Sequence, residues 1–280
     1  MKVLPFKIPK TKNIALLFQE DTEQIFYDQL HQHEEIQICA IIHGEGTLVV
    51  GDTINEYKAG DVLVIGSNLP HVFKSDVERC SKSQMYSLFF TKNSFGEGFF
   101  SLGDFAALED FFEKSKAGFK VSSDHKTKLF QIFLSLKKAT TLERFILFFQ
   151  SLDLFNKAET IALSTFVYQK KYTDNEGKRM STIMDYTMNH FDKDIDLQSI
   201  SDVATMTPNA FCRYFKQRTN KTYFQFLIEV RIEQACRFLK NHELLITEVS
   251  EKSGFKNISN FNRKFKEIKG FTPTQFRSLQ

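Results

Sequence analysis

The chain has 280 residues, enough for about two domains, and its 42% hydrophobic and 25% charged content is ordinary for a soluble globular protein. Four scattered cysteines (Cys39, Cys80, Cys212, Cys236) have no CxxC spacing, which excludes a disulfide framework and a zinc signature and fits reduced thiols. The net charge of +3 is uneven: residues 178–280 hold 17 Lys and Arg against 11 Asp and Glu, the rest 20 against 23, so a polyanion is expected at the C-terminal end.

The opening segment, MKVLPFKIPKTKNIALLFQE, lacks the apolar core and small-residue cleavage site of a secretory signal. No apolar run approaches the roughly 18 residues that a bilayer span needs, so a cytoplasmic protein without membrane contact is expected. Residues 36–74 contain β-branched runs broken by Gly-Glu-Gly, Gly-Asp, Ala-Gly-Asp and Ser-Asn-Leu-Pro. Short strands with turn signals at this spacing predict an antiparallel barrel or sandwich over residues 1–100.

After residue 100 the period changes. Leu142, Phe145, Phe149 and Leu152 fall at helical spacing, and 16 of the 31 phenylalanines lie between residues 89 and 166. Residues 101–167 are therefore expected to be helices that pack on the barrel and on a second copy, an ordinary internal core being the alternative. Residues 168–180 are polar and aperiodic and are read as a linker. From 181 to 280 the pattern is helical throughout.

This last region repeats itself with a shift of 50 residues. Phe211, Arg213, Phe215, Lys216, Thr222, Gln225 and Phe226 recur as Phe261, Arg263, Phe265, Lys266, Thr272, Gln275 and Phe276, seven identities in sixteen positions. Each copy has the pattern of a helix-turn-helix. Thr207-Pro208 starts the second helix of the first copy, and Gly254 supplies the turn in the later one.

In the later second helix, Ile258, Phe261, Phe265 and Ile268 form the expected buried stripe, which leaves Ser259, Asn262, Arg263 and Lys266 outward. In the earlier one Phe211 and Phe215 are buried, with Asn209, Cys212, Arg213 and Lys216 outward. Arg and Asn can pair with guanine and adenine edges, and Lys meets phosphate, so double-stranded DNA is the expected partner. Between the copies, residues 222–241 predict one helix of about 30 Å that spaces two recognition helices.

Residues 181–280 resemble the DNA-binding domain of AraC/XylS-type bacterial transcription regulators. The resemblance is carried by RYFKQRTNKTYFQFLIEVRIEQACRFL (213–239) and VSEKSGFKNISNFNRKFKEIKGFTPTQFR (249–277). It implies seven helices, with those near 208–217 and 257–267 entering the major groove, and makes RNA polymerase a further candidate partner. Ser201 and Ser250 stand where the family has a small Ala, and Asn220 where it has Gly. Asn tolerates the left-handed helix end.

The N-terminal half resembles the cupin-type sensor domains of such regulators, through HQHEE (31–35), GEGTLVVGD (44–52) and GDVLVIGSNLPHVF (60–73). The whole is thus expected to be an α+β protein of two domains: a cupin-like antiparallel barrel followed by helices, then an all-α double helix-turn-helix domain. Metal-binding cupins resemble H-x-H followed by Glu and a distant His. Gln37 and Ile38 stand where that Glu belongs, so no metal or cofactor is expected. His31, His33, Gln37 and His71 are instead candidates for an effector pocket. The expected function is a homodimeric, sequence-specific regulator modulated by a small molecule, and not an enzyme. The alternative is a metal-dependent cupin enzyme with a DNA-binding tail.

Overall fold

The computed structural model describes residues 14–122, 124–165 and 174–279. The chain divides into two compact units, the first lying before Asn175 without residues 52–54, the second comprising the chain from Asn175 onward and those three residues.

The N-terminal unit is built on β1 (Leu17–Glu23), β2 (Ile36–His43), β3 (Glu45–Val50), β4 (Thr53–Lys58), β5 (Val62–Ile65), β6 (His71–Ser75) and β7 (Ser83–Phe90). They form two sheets rather than a closed ring. One has the order β1-β7-β2-β5, extended by β8 (Phe119–Val121) and β9 (Thr160–Ala162), and the other β4-β3-β6. Strand side chains alternate between faces. In β2, Ile38 and Ala40 enter one apolar core while Cys39 and Ile41 enter another; in β5, Val62 and Val64 part from Leu63 and Ile65 in the same way. Burial on both faces explains why these strands read as continuous apolar runs.

The first of those cores is covered by α1 (Glu109–Ser115), α2 (His125–Leu136) and α3 (Thr141–Lys157). Phe111, Phe133, Phe148 and Phe155 are buried there against Val64 and Leu88. Much of the phenylalanine excess is thus internal filling. The 101–167 segment is also not wholly helical, because β8 pairs with β5 and β9 with β8. Phe119 and Val121 alternate about Lys120, whose ammonium lies 2.6 Å from the fully buried Asp61 carboxylate. Lys126 (3.0 Å) and the Lys58 backbone N–H (3.0 Å) complete the donors to Asp61, the acid of the Ala-Gly-Asp turn. A buried carboxylate needs such pairing.

The C-terminal unit contains α4 (Asp174–His190), α5 (Leu197–Val203), α6 (Pro208–Thr219), α7 (Tyr223–Leu239), α8 (Ile246–Lys252), α9 (Ile258–Lys269) and α10 (Pro273–Ser278), seven helices among the described residues. α4 starts inside the stretch read as linker, 168–180, of which 168–173 lie outside the described residues. Met180, Ile183, Met184 and Thr187 are buried at helical spacing, and their burial draws the polar turn before them into the helix.

Candidate nucleic-acid interface and sensor pocket

The repeat in the sequence is a repeat in structure, since α6 and α9 start and end 50 residues apart. α6 begins with Pro208 at its first position, where a missing N–H costs nothing. The Thr207 hydroxyl makes no capping bond. Phe211 and Phe215 are fully buried, their rings 5.5 and 5.4 Å from that of Tyr223 on α7. The helix stops at Asn220, whose φ of 56° puts it in the left-handed region that Asn tolerates.

α9 begins with the Asn257 side chain accepting the N–H groups of Ser259 (2.8 Å) and Asn260 (3.0 Å). It buries Phe261 and Phe265 against Val249, Phe255 and Leu239, and ends at Gly270 with φ 78°. Ile258 and Ile268, expected in the buried stripe, are 37% and 39% exposed, because they lie on the first and last turns of α9. Gly254, between α8 and α9, has φ 81°, and a Cβ there would lie 2.5 Å from the Phe191 carbonyl oxygen. Only glycine fits this turn. The adjoining backbone is held by Arg231, which donates to the carbonyls of Phe191 (2.7 Å) and Lys193 (2.8 Å).

All eight side chains assigned outward are exposed: Asn209, Cys212, Arg213 and Lys216 on α6, and Ser259, Asn262, Arg263 and Lys266 on α9. Arg263 donates to Asn260 Oδ1 and Glu267 Oε1, both at 2.8 Å. Asn260 and Glu267 escaped the sequence reading, although i−3 and i+4 spacing from an arginine is a usable signal. α7 joins the two copies as one helix of 17 residues, about 25 Å long. It is shorter than the expected 30 Å because Thr222 is its cap and it ends at Leu239.

In the N-terminal unit, His31 and His71 form an isolated antiparallel bridge, with reciprocal N–H to carbonyl bonds of 3.1 and 2.9 Å that hold their rings 4.3 Å apart. The His33 ring lies 5.0 Å from that of His71. Each histidine donates Nδ1–H to a backbone carbonyl at 2.8 Å: His31 to Gln29, His33 to Glu35, His71 to Leu69. This fixes the tautomer and leaves Nε2 as the lone-pair nitrogen of each ring. Burial drives the acidity of all three imidazolium forms up, to a pKa of about 3 for His31 and well below the ordinary value for His71, so the neutral rings prevail.

Three of the four pocket candidates, His31, Gln37 and His71, line one cavity of about 300 Å³. His33 is not among the lining residues and contacts Gln37, Nε2 to Oε1 3.3 Å. The Gln37 amide donates to Ser87 Oγ at 3.1 Å. Phe26, Phe73 and Phe89 supply apolar wall, while β1 contributes Gln19, Asp21 and Glu23. Burial raises the Asp21 pKa. The β1 carboxylates were not legible, since pairing with β7, sixty or more residues away, brings them here. One ring nitrogen from each of His31, His33 and His71 lies within 4.8 Å of the others, and His71 Nε2 is buried with no hydrogen-bond partner. Neutral imidazoles with carbonyl-anchored Nδ1 atoms are a donor set that fits a borderline divalent ion.

No described helix is long and apolar enough to cross a membrane. Residues 200–278 match the family model described as a helix-turn-helix domain, and residues 23–80 that described as a cupin domain. YdeC, an HTH-type transcriptional regulator of Bacillus subtilis (strain 168), is 22% identical over 271 residues, 90% of this chain and 87% of its own. The probable transcriptional regulator LumQ of Photobacterium leiognathi is 23% identical over 250 residues, 88% and 91% of the two chains. The crystal structure of ToxT from Vibrio cholerae O395 aligns at 12% identity and a TM-score of 0.38, over 94% of this chain and 97% of that one. The chain is a DNA-binding transcription regulator with a helix-turn-helix domain at residues 200–278 and a cupin domain at residues 23–80.

Proposed function

We propose that α6 and α9 are recognition helices that read two short boxes in adjacent major grooves of double-stranded DNA. The observation that carries this reading is the exposure, at a constant 50-residue offset, of an Arg and a Lys in the same helical phase on both helices. Asn209 and Cys212 accompany the first pair, Ser259 and Asn262 the second. Arg213 and Arg263 read base edges, and Lys216 and Lys266 meet phosphate. A purely phosphate-binding protein needs only cations.

The N-terminal unit acts in this reading as a cytoplasmic sensor and not as an enzyme, with the cavity at His31, Gln37 and His71 receiving a small effector and His33 backing Gln37. The chain works as a homodimer. Leu142 and Ile146 on α3 are 72% and 51% exposed, an apolar surface that a second copy would cover. RNA polymerase is the further partner through which a promoter-bound regulator would act.

In-vitro selection of random duplex DNA by the full chain at physiological salt tests the central claim. The expected outcome is enrichment of two boxes about 10 base pairs apart, centre to centre. Enrichment of a single box would remove one helix from the reading, and no enrichment would sink it.

A further inference from the structure

We propose that the cavity at His31, Gln37 and His71 receives a small organic cation carrying N–H donors, a primary amine or a guanidine, and that Asp21 and Glu23 on β1 select it. The inference rests on the reading of this cavity as an effector site and gives that effector a chemical class. It is independent of how α6 and α9 meet DNA.

The charge of the lining comes from one strand. Gln19, Asp21 and Glu23 alternate along β1 and so share the face that lines the cavity, paired with Ser87, Met85 and Ser83 on β7. The two carboxylates stand about 6.6 Å apart along the strand, and no Lys or Arg is among the described lining residues. Burial raises the Asp21 pKa and the charge of Glu23 adds to it, against the 2.7 Å bond donated by the Gln19 amide. A cation between the carboxylates relieves both penalties.

The neutral polar groups of the cavity offer acceptors. His71 donates Nδ1–H to the Leu69 carbonyl, which leaves a lone pair on Nε2, and that atom is buried with no hydrogen-bond partner. Gln37 spends its amide nitrogen on Ser87 Oγ. A buried acceptor left unmet costs free energy that an N–H from a ligand recovers. An ammonium or guanidinium group brings donors and no acceptor. A polyol brings acceptors as well and would set some of them against carboxylates, and an anion would be repelled outright.

The apolar wall suits the same ligand. Phe26, Phe73 and Phe89 line the cavity, the first two with rings 5.9 Å apart, and aromatic faces attract cations while covering an apolar stem. A volume of about 300 Å³ restricts that stem to a few carbons or one ring.

The test titrates the full chain by calorimetry with three cations, phenethylamine, butane-1,4-diamine and agmatine. The controls are 2-phenylethanol, butane-1,4-diol and phenylacetate, and a chelator keeps stray metal off the imidazoles. At least one cation is expected to bind with a dissociation constant below about 1 mM, and every control at least about tenfold more weakly. Asp21→Asn and Glu23→Gln should each weaken that cation about tenfold. An alcohol or phenylacetate that binds as tightly as the cations would overturn the cation class and leave the cavity an effector site. No binding by any probe at about 10 mM would remove both. Unchanged affinity in either folded variant would place the cation elsewhere and also overturn the proposal. Should Asp21→Asn fail to fold, Glu23→Gln, at an exposed position, decides alone.

Discussion

Arg263 and Glu267 pair one turn apart on the exposed face of α9, Nη1 to Oε1 2.8 Å, whereas Arg213, at the equivalent place on α6, has Gln217 at that spacing and no side-chain partner among the described residues. With Asn260 holding its other terminal nitrogen, the Arg263 fork is set in one orientation. Such an exposed pair adds little stability, so its consequence lies in aim. Replacing Arg263 or Arg213 with Ala is expected to cost about 1–3 kcal/mol at one box and relax its specificity there. Titrations on duplexes mutated in one box check this, and a uniform loss on every sequence would mark a phosphate contact instead. Glu267→Ala should weaken discrimination at the Arg263 box alone.

Thr222 and Thr272 close the same capping box in the two copies, each accepting the N–H of the residue three further on at 3.3 Å while that Gln side chain accepts the threonine N–H. Thr222→Ala and Thr272→Ala are each expected to destabilise the C-terminal unit by about 1 kcal/mol. Urea denaturation should show lower midpoints with unchanged slopes.

Charges placed on the apolar surface of α3 test the dimer. Leu142→Lys with Ile146→Lys should leave the fold intact, since neither belongs to the buried core, and convert a sedimenting dimer into a monomer. A wild-type chain that sediments as a monomer at micromolar concentration would remove the claim.

Asp196 caps α5, accepting the Ser199 N–H at 2.7 Å, and that bond holds its carboxyl below the ordinary range. A depressed folded-state pKa stabilises above the unfolded value, and the contribution is lost as pH falls through the folded one. The stability difference between wild type and Asp196→Asn should therefore be constant near neutrality and shrink below about pH 4. Melting temperatures measured down to about pH 2 check it; an unchanged difference would show that the charge is not involved.

The helical half was legible because its signals are local. Threonine caps, a proline at the first turn and a phenylalanine every fourth residue all lie within one or two turns of the structure that they specify. The strand half was legible in class and less so in detail. β8 and β9 have three residues each, too few for a period to register, and what recruits β8 is Asp61, far away in sequence. The same limit hid the cavity. HQHEE and the proline-histidine pair advertise its imidazoles, but Asp21 and Glu23 belong to a strand that matches no motif. The bridge between His31 and His71 is a pairing across forty residues that no window of sequence contains.

The shared helix α7 also constrains how such a protein can change. Its first half packs copy one, through Tyr223 and Phe226 on Phe215, and its second half packs copy two, through Ile232, Ala235 and Leu239 on Phe261 and Phe265. A single inserted residue would rotate the second half by about 100° against the first and pull one core off its seat. With α6 and α9 as the proposed reading helices, new DNA targets are open by exchanging their side chains, while changes of length between residues 223 and 239 are closed. On that reading, side-chain exchange can alter binding preference while α7 keeps the spacing of the two helices fixed.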